Sequence, residues 1–134
     1  TSSTDYQPYT RISNSSPSLS CEDADIYTTS GSSTGNKALT QPIGLISVDE
    51  AMLGGIPNWN SSNSNNYLYT GQHYWTMSPC YYNSGAYVFY VSSGGNLGNY
   101  SVDWAAPGVR PVINLKSAIA ITGSGSKTDP FKVG

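Results

Sequence analysis

Residues Tyr74 to Val91 read YWTMSPCYYNSGAYVFYV, eighteen positions holding five tyrosines, a tryptophan and a phenylalanine. This stretch limits the possible folds more than any other. Aromatic and β-branched residues at such density fit a pleated, half-buried surface far better than a helix. AYVFYV then runs into SSGGNL, a Gly-bearing turn after a strand, with YSVDW as the returning strand. Side chains alternate across a strand, so one of two sets faces a core: Ala86, Val88 and Tyr90, or Tyr87, Phe89 and Val91. The other set stays half exposed.

Around this hairpin the chain is polar and broken by turn formers. Residues 1–20 contain Pro8 and Pro17, show little hydrophobic periodicity and read as an extended N-terminal arm. TTSGSSTGN and NWNSSNSNN read as loops. IGLI reads as a short buried strand. Ser47 followed by Glu50 is a capping box that starts a short helix through Ala51, Met52 and Leu53, ended by Gly54-Gly55. YLYTG alternates like a strand. GVRPVINLKS supplies a late strand with Val109, Val112, Ile113 and Leu115 for the core, Pro111 confining its start to an edge or bulge. TGSGSKTDPFKV reads as a turn and a last short strand. The expected class is α+β, mostly β, with long loops and one or two short helices, in a single domain spanning 1–134.

Composition narrows the function. Charged residues are 10% of the chain and the formal charge is −2, with the six cations scattered, so no basic stripe for nucleic acid exists. No apolar run is long enough to cross a bilayer. A surface of hydroxyls, amides and Tyr with so few lysines points outside the cell. Two cysteines, Cys21 and Cys80, allow one disulfide in an oxidising compartment or two free thiols.

Four motifs stand in order: GLISVDEAMLGG, YLYTGQHYWTMSP, AYVFYVSSGGNL and GVRPVINLKS, followed by GSGSKTDPFKV. Over roughly residues 42–133 they resemble a family of bacterial and phage cell-surface domains whose members read YLYTG-x-YWTMSP and YGVRPVINLKS. That family looks like the C-type-lectin-like fold in its formylglycine-generating-enzyme version, the version also used by retroelement-diversified variable proteins. The resemblance implies a scaffold made by the motifs and a ligand-binding face made by the residues between them. It assigns scaffold roles to Trp75, Ser78, Pro79, Arg110 and Pro111. Trp75 and Met77 read as core packing, and Arg110 as a loop anchor through fixed hydrogen bonds.

The gaps between motifs hold the contact candidates: Tyr81, Tyr82, Asn83 and Ser84, then Asn96, Asn99, Tyr100, Ser101, Asp103 and Trp104. Tyr among Ser, Gly and Asn is a paratope composition, rigid rings for area and short polar groups for hydrogen bonds. Catalytic chemistry is thin. His73 is the one histidine and reads as a packed strand residue, no zinc spacing exists, and no cofactor is expected. Glu22, Asp23 and Asp25 give a weak case for structural calcium without the loop of a dedicated site. The expectation is an extracellular, non-catalytic domain that binds a protein or glycan on a cell surface. The rival is the head domain of a pilus or surface filament.

Overall fold

The computed structural model describes residues 3–20, 43–113, 118–124 and 128–134. Strands β1 (Thr4–Asp5), β3 (Tyr74–Tyr82), β4 (Ala86–Val91) and β5 (Leu97–Ser101) form an antiparallel sheet in the order β1-β3-β4-β5. Strands β2 (Ile43–Leu45) and β6 (Pro111–Ile113) form a second ladder, and β7 (Ile121–Thr122) and β8 (Lys132–Val133) a third. Helices α1 (Gln7–Ser13) and α2 (Val48–Leu53) complete a mostly β architecture with two short helices.

The hairpin turns explain the register. Asn83 to Gly85 joins β3 to β4 with Ser84 left-handed at φ 55°. The turn from β4 to β5 is built on Ser92, whose N–H donates to Asn96 O and whose carbonyl accepts from Gly95 N–H. Gly95 has φ 78°, and a Cβ there would lie 2.6 Å from Asn63 O, so only glycine fits. The returning strand begins at Leu97, not near Tyr100, because Leu97 pairs with Val91 and both are buried. The gap that holds the candidates from Asn96 to Trp104 is therefore strand over Leu97–Ser101. At its outer edge, the Leu97 N–H donates to Pro57 O at 2.8 Å.

Alternation resolves in favour of the second set: Phe89 and Val91 are buried and Tyr87 packs against them. With Tyr74, Cys80 and Leu97 they meet Val48, Ala51 and Ile56 of the α2 region, Ile12 of α1 and Leu68. Each fully buried large side chain here contributes about 1.5–3 kcal/mol of transfer free energy. Pro79 is tolerated inside β3 because the pairing with β4 shifts register on both sides of it.

Helix α2 starts as expected. Ser47 Oγ accepts the Glu50 N–H at 3.1 Å, and the Glu50 carboxylate accepts the Ser47 N–H at 2.8 Å. Gly54 and the left-handed Gly55, at φ 92°, end it. Ser78 of β3, itself buried, accepts the N–H of Val48 at 2.9 Å and so pins the helix start to the sheet.

Three expectations are corrected. The arm 1–20 is not extended throughout: Pro8, read as a breaker, occupies the first turn of α1, where its missing N–H costs nothing. YLYTG is a turn in which Leu68 alone is buried, because the Asn66 side chain donates to Gly54 O and accepts from Leu68 N–H. The IGLI strand and its partner do not bury their tips, since Ile43 and Ile113 face each other across β2–β6 at 57% and 63% exposure. Val109 is exposed too, and Leu115 lies outside the described residues. Pro111 sits in this two-stranded ladder, where every strand is an edge.

Besides β1 and the burial of Ile12, an ion pair ties arm to body. Asp49 accepts Arg11 Nε and Nη2 at 2.7 and 2.8 Å and the Ser18 N–H at 2.9 Å. Arg11→Ala leaves that carboxylate without its charge partner, and is expected to cost about 3–5 kcal/mol in urea or guanidinium unfolding.

Candidate functional site

The outer face of the main sheet is defined by register. Trp75 lies opposite Tyr90, Tyr90 opposite Gly98, and Val88 opposite Tyr100. Gly98 leaves room for the Tyr90 ring, whose tip would be 2.6 Å from a Cβ at that position. After β5 the chain turns, the Trp104 N–H donating to Ser101 O, and rejoins β3 at Gly108. There the Gly108 N–H donates to His73 O at 2.8 Å and Gly108 O accepts the Trp75 N–H at 3.1 Å. Residues 102–107 thus cross the outer face and lay Trp104 on it.

Trp104 contacts four rings. Its centroid is 4.7 Å from Tyr100, 5.2 Å from Tyr90 and from His73, and 6.0 Å from Trp75. Most pairs are edge-to-face, the geometry aromatic quadrupoles prefer. Burial, with a smaller contribution from Tyr100, raises the Tyr90 phenol pKa above its usual value. Behind the crossing, Arg110 donates to Leu68 O at 2.8 Å and its guanidinium lies 5.3 Å from the centre of the Tyr74 ring. Tyr74 donates to the same carbonyl. Burial raises its pKa despite the opposing Arg110 hydrogen bond.

The contact candidates separate into groups. Tyr100 and Trp104 converge on the outer face, with the exposed Asp103 beside them in the loop. Tyr82, Asn83 and Ser84 form the β3–β4 hairpin tip, with Tyr82 44% exposed. Ser101 stands at the end of β5 near that tip, since Val102 N–H donates to Ala86 O. Tyr81 is a correction: it packs on the inner side, stacked on Tyr87 at 4.4 Å and edge-on to Tyr9. Asn96 is another, because its amide is spent on Ser92 Oγ and Leu97 O. Asn99 lies opposite Phe89 and shares the inner face.

Three members of the ring cluster were not among the contact candidates. Trp75 was assigned to the core, yet it faces outward, and among the described residues its indole N–H meets no acceptor. Tyr90 shares the face of Trp75 by register, a signal that alternation contains once the buried set is known. His73 was read as a packed strand residue; it lies just before β3 and contacts Trp104 and Tyr90.

Compared with protein-family models, curated proteins and solved structures, the chain has no significant match.

The titratable groups give little chemistry. Ser93 Oγ lies 3.3 Å from His73 Nε2, while His73 Nδ1 accepts the Ser93 N–H at 3.2 Å. A neutral ring that accepts at Nδ1 carries its proton on Nε2. It therefore donates to the hydroxyl and is not placed to take its proton. Among the described residues no group of three His, Cys, Asp or Glu side chains could hold a metal, and no helix is long and apolar enough to cross a membrane. Glu22, Asp23, Asp25 and Cys21 lie outside the described residues. Cys80, the other half of the possible disulfide, is a buried free thiol.

Burial, and secondarily the Asp5 carboxylate, push the Cys80 thiol from its ordinary 9.0 up to about 12. The folded state thus favours the protonated thiol. Its contribution to stability is whole below pH 9.0 and is lost as pH rises toward about 12. Cys80→Ala should lose less stability than the parent chain over that interval in equilibrium unfolding. At the outer face, Gly98→Ala forces the Tyr90 ring off its seat against Trp75 and Trp104. The expected cost is about 1–3 kcal/mol, with an altered tryptophan emission spectrum.

Proposed function

We propose that this chain is an extracellular, non-catalytic recognition domain of the C-type-lectin-like kind, akin to bacterial and phage variable proteins. Its ligand is a protein or glycan on a cell surface. The observation that carries the reading is the ring cluster on the outer face, in which Tyr100 remains 51% exposed beside Trp104. A sheet face that served only to close the molecule would hide these rings under an apolar layer. Here, among the described residues, one loop crosses it.

The mechanism is ring stacking and hydrogen bonding on a stiff frame. Arg110 holds the returning chain, Ser78 holds α2, and neither has to move for a ligand to dock. Among the described residues few charges stand near the face, so electrostatic steering is weak and affinity should change little between low and physiological salt. The test is an array of cell-surface proteins and glycans probed with the parent chain and with Tyr100→Ala/Trp104→Ala. Removing two central aromatic anchors is expected to weaken binding at least about thirtyfold. A folded parent chain with no hits, or a double variant that binds equally, would defeat the proposal.

One observation favours the second reading, a filament or pilus head. Ile43, Val109 and Ile113 expose apolar surface in and beside the β2–β6 ladder. Under that reading light scattering shows concentration-dependent assembly, and Ile43→Lys/Ile113→Lys abolishes it while ring variants do not.

A further inference from the structure

His73 is the chain's only histidine, and it sits where separate segments meet. Its carbonyl accepts the Gly108 N–H at 2.8 Å, where the crossing loop rejoins the sheet. Its Nδ1 accepts the Ser93 N–H at 3.2 Å, twenty residues on in the β4–β5 turn. Its ring lies 5.2 Å from Trp104 in the crossing loop and 5.3 Å from Tyr90 in β4. One imidazole therefore bonds the turn and touches the ring cluster at once.

Histidine is the side chain that ordinarily changes charge between about pH 5 and 8. The bond to the Ser93 amide exists only for the neutral ring. An imidazolium carries N–H groups on both nitrogens, so Nδ1–H would face the Ser93 N–H, donor against donor. Turning the ring over brings no relief, since an imidazolium offers an acceptor in neither orientation. The contact of Nε2 with Ser93 Oγ, at 3.3 Å, uses Nε2–H as donor in both states and does not distinguish them. Ser93 is exposed, so water takes its amide once Nδ1 no longer accepts.

The charged ring has another attraction. A cation within about 6 Å of an aromatic centroid is drawn to the ring's electron-rich face, to indole most of all. Trp104 and Tyr90 both lie inside that distance. Few other charges compete among the described residues. The turn from Ser92 to Asn96 has no ionisable side chain, and in the crossing loop Asp103 is exposed to solvent. Arg110, beyond that loop, is directed to Leu68 O, as is the Tyr74 phenol of β3. Burial raises the pKa of both Tyr74 and Tyr90, so neither phenol ionises in this range.

We infer that His73 is a pH-sensitive latch on the outer face: neutral, it bonds the β4–β5 turn to the start of β3; protonated, it releases the Ser93 amide and is drawn onto Trp104. This goes beyond the recognition reading and needs no ligand. The full chain, isotope-labelled, is titrated from about pH 8 to 5 and followed by NMR and tryptophan emission. As the His73 ring resonances report protonation, protection of the Ser93 amide from hydrogen exchange should fall about fivefold. Tryptophan emission should be quenched with the same midpoint. In His73→Gln the carboxamide oxygen can accept the same N–H but never charges, so both changes should vanish. His73→Phe serves the same end should the first variant not fold. Trp104→Phe should lose the emission change and keep the change at Ser93. A Ser93 amide that stays protected throughout the His73 titration overturns the inference, and so does quenching that persists in the His73 variants. A binding array without hits leaves the latch standing, and failure of the latch leaves the recognition reading standing.

Discussion

Asp49 is 1% exposed, and a carboxylate so placed is tolerable only because donors surround it. The Arg11 guanidinium meets both of its oxygens and the Ser18 amide meets one. The same residue belongs to the first turn of α2, where the helix dipole also favours negative charge. This one group therefore fixes α1 and the chain after it against α2. Ser78 in turn fixes α2 against β3. Ile12, Val48, Ala51 and Phe89 pack together between the elements that these polar contacts join.

The main sheet carries aromatic rings on both of its faces. The two faces hold different ring systems. On the inner side Tyr9 meets Tyr81 edge-on and Tyr81 stacks on Tyr87, joining arm to sheet, with Trp59 beyond Tyr9. On the outer side Trp75, Tyr90 and Tyr100 surround Trp104. The first system connects elements of the molecule. The second is gathered by one loop and remains open to solvent at Tyr100.

The parts legible in the sequence are those encoded locally. Ser47 with Glu50, and Gly54 with Gly55, specify α2 through bonds between near neighbours, and SSGG specifies the β4–β5 turn. Helix α1 was hidden because Pro8 signals a break or a start depending on what precedes it. YLYTG misled because its alternation coincides with a turn set by the Asn66 side chain reaching Gly54, twelve residues away. Within the site, Tyr100 and Trp104 could be picked from composition. Tyr81 and Trp75 could not be sorted, because which side of β3 is covered depends on α2, contributed by a distant segment. The irregular pairing at Pro79 further weakens any count along that strand.

The Pro57 carbonyl on the margin of β5 has a consequence for the molecule among its own copies. An unpaired strand margin is a template for another chain, and a protein with 10% charged residues has little repulsion to keep copies apart. On β5 the Leu97 amide is taken by Pro57, the Leu97 carbonyl by the Asn96 side chain, and the Ser101 carbonyl by the Trp104 amide. Little more than Asn99 is left between them for a stranger to grip. The chain's defence against runaway polymerisation along this margin is thus steric and local, and it would survive conditions, such as high ionic strength, that erase a defence based on like charge.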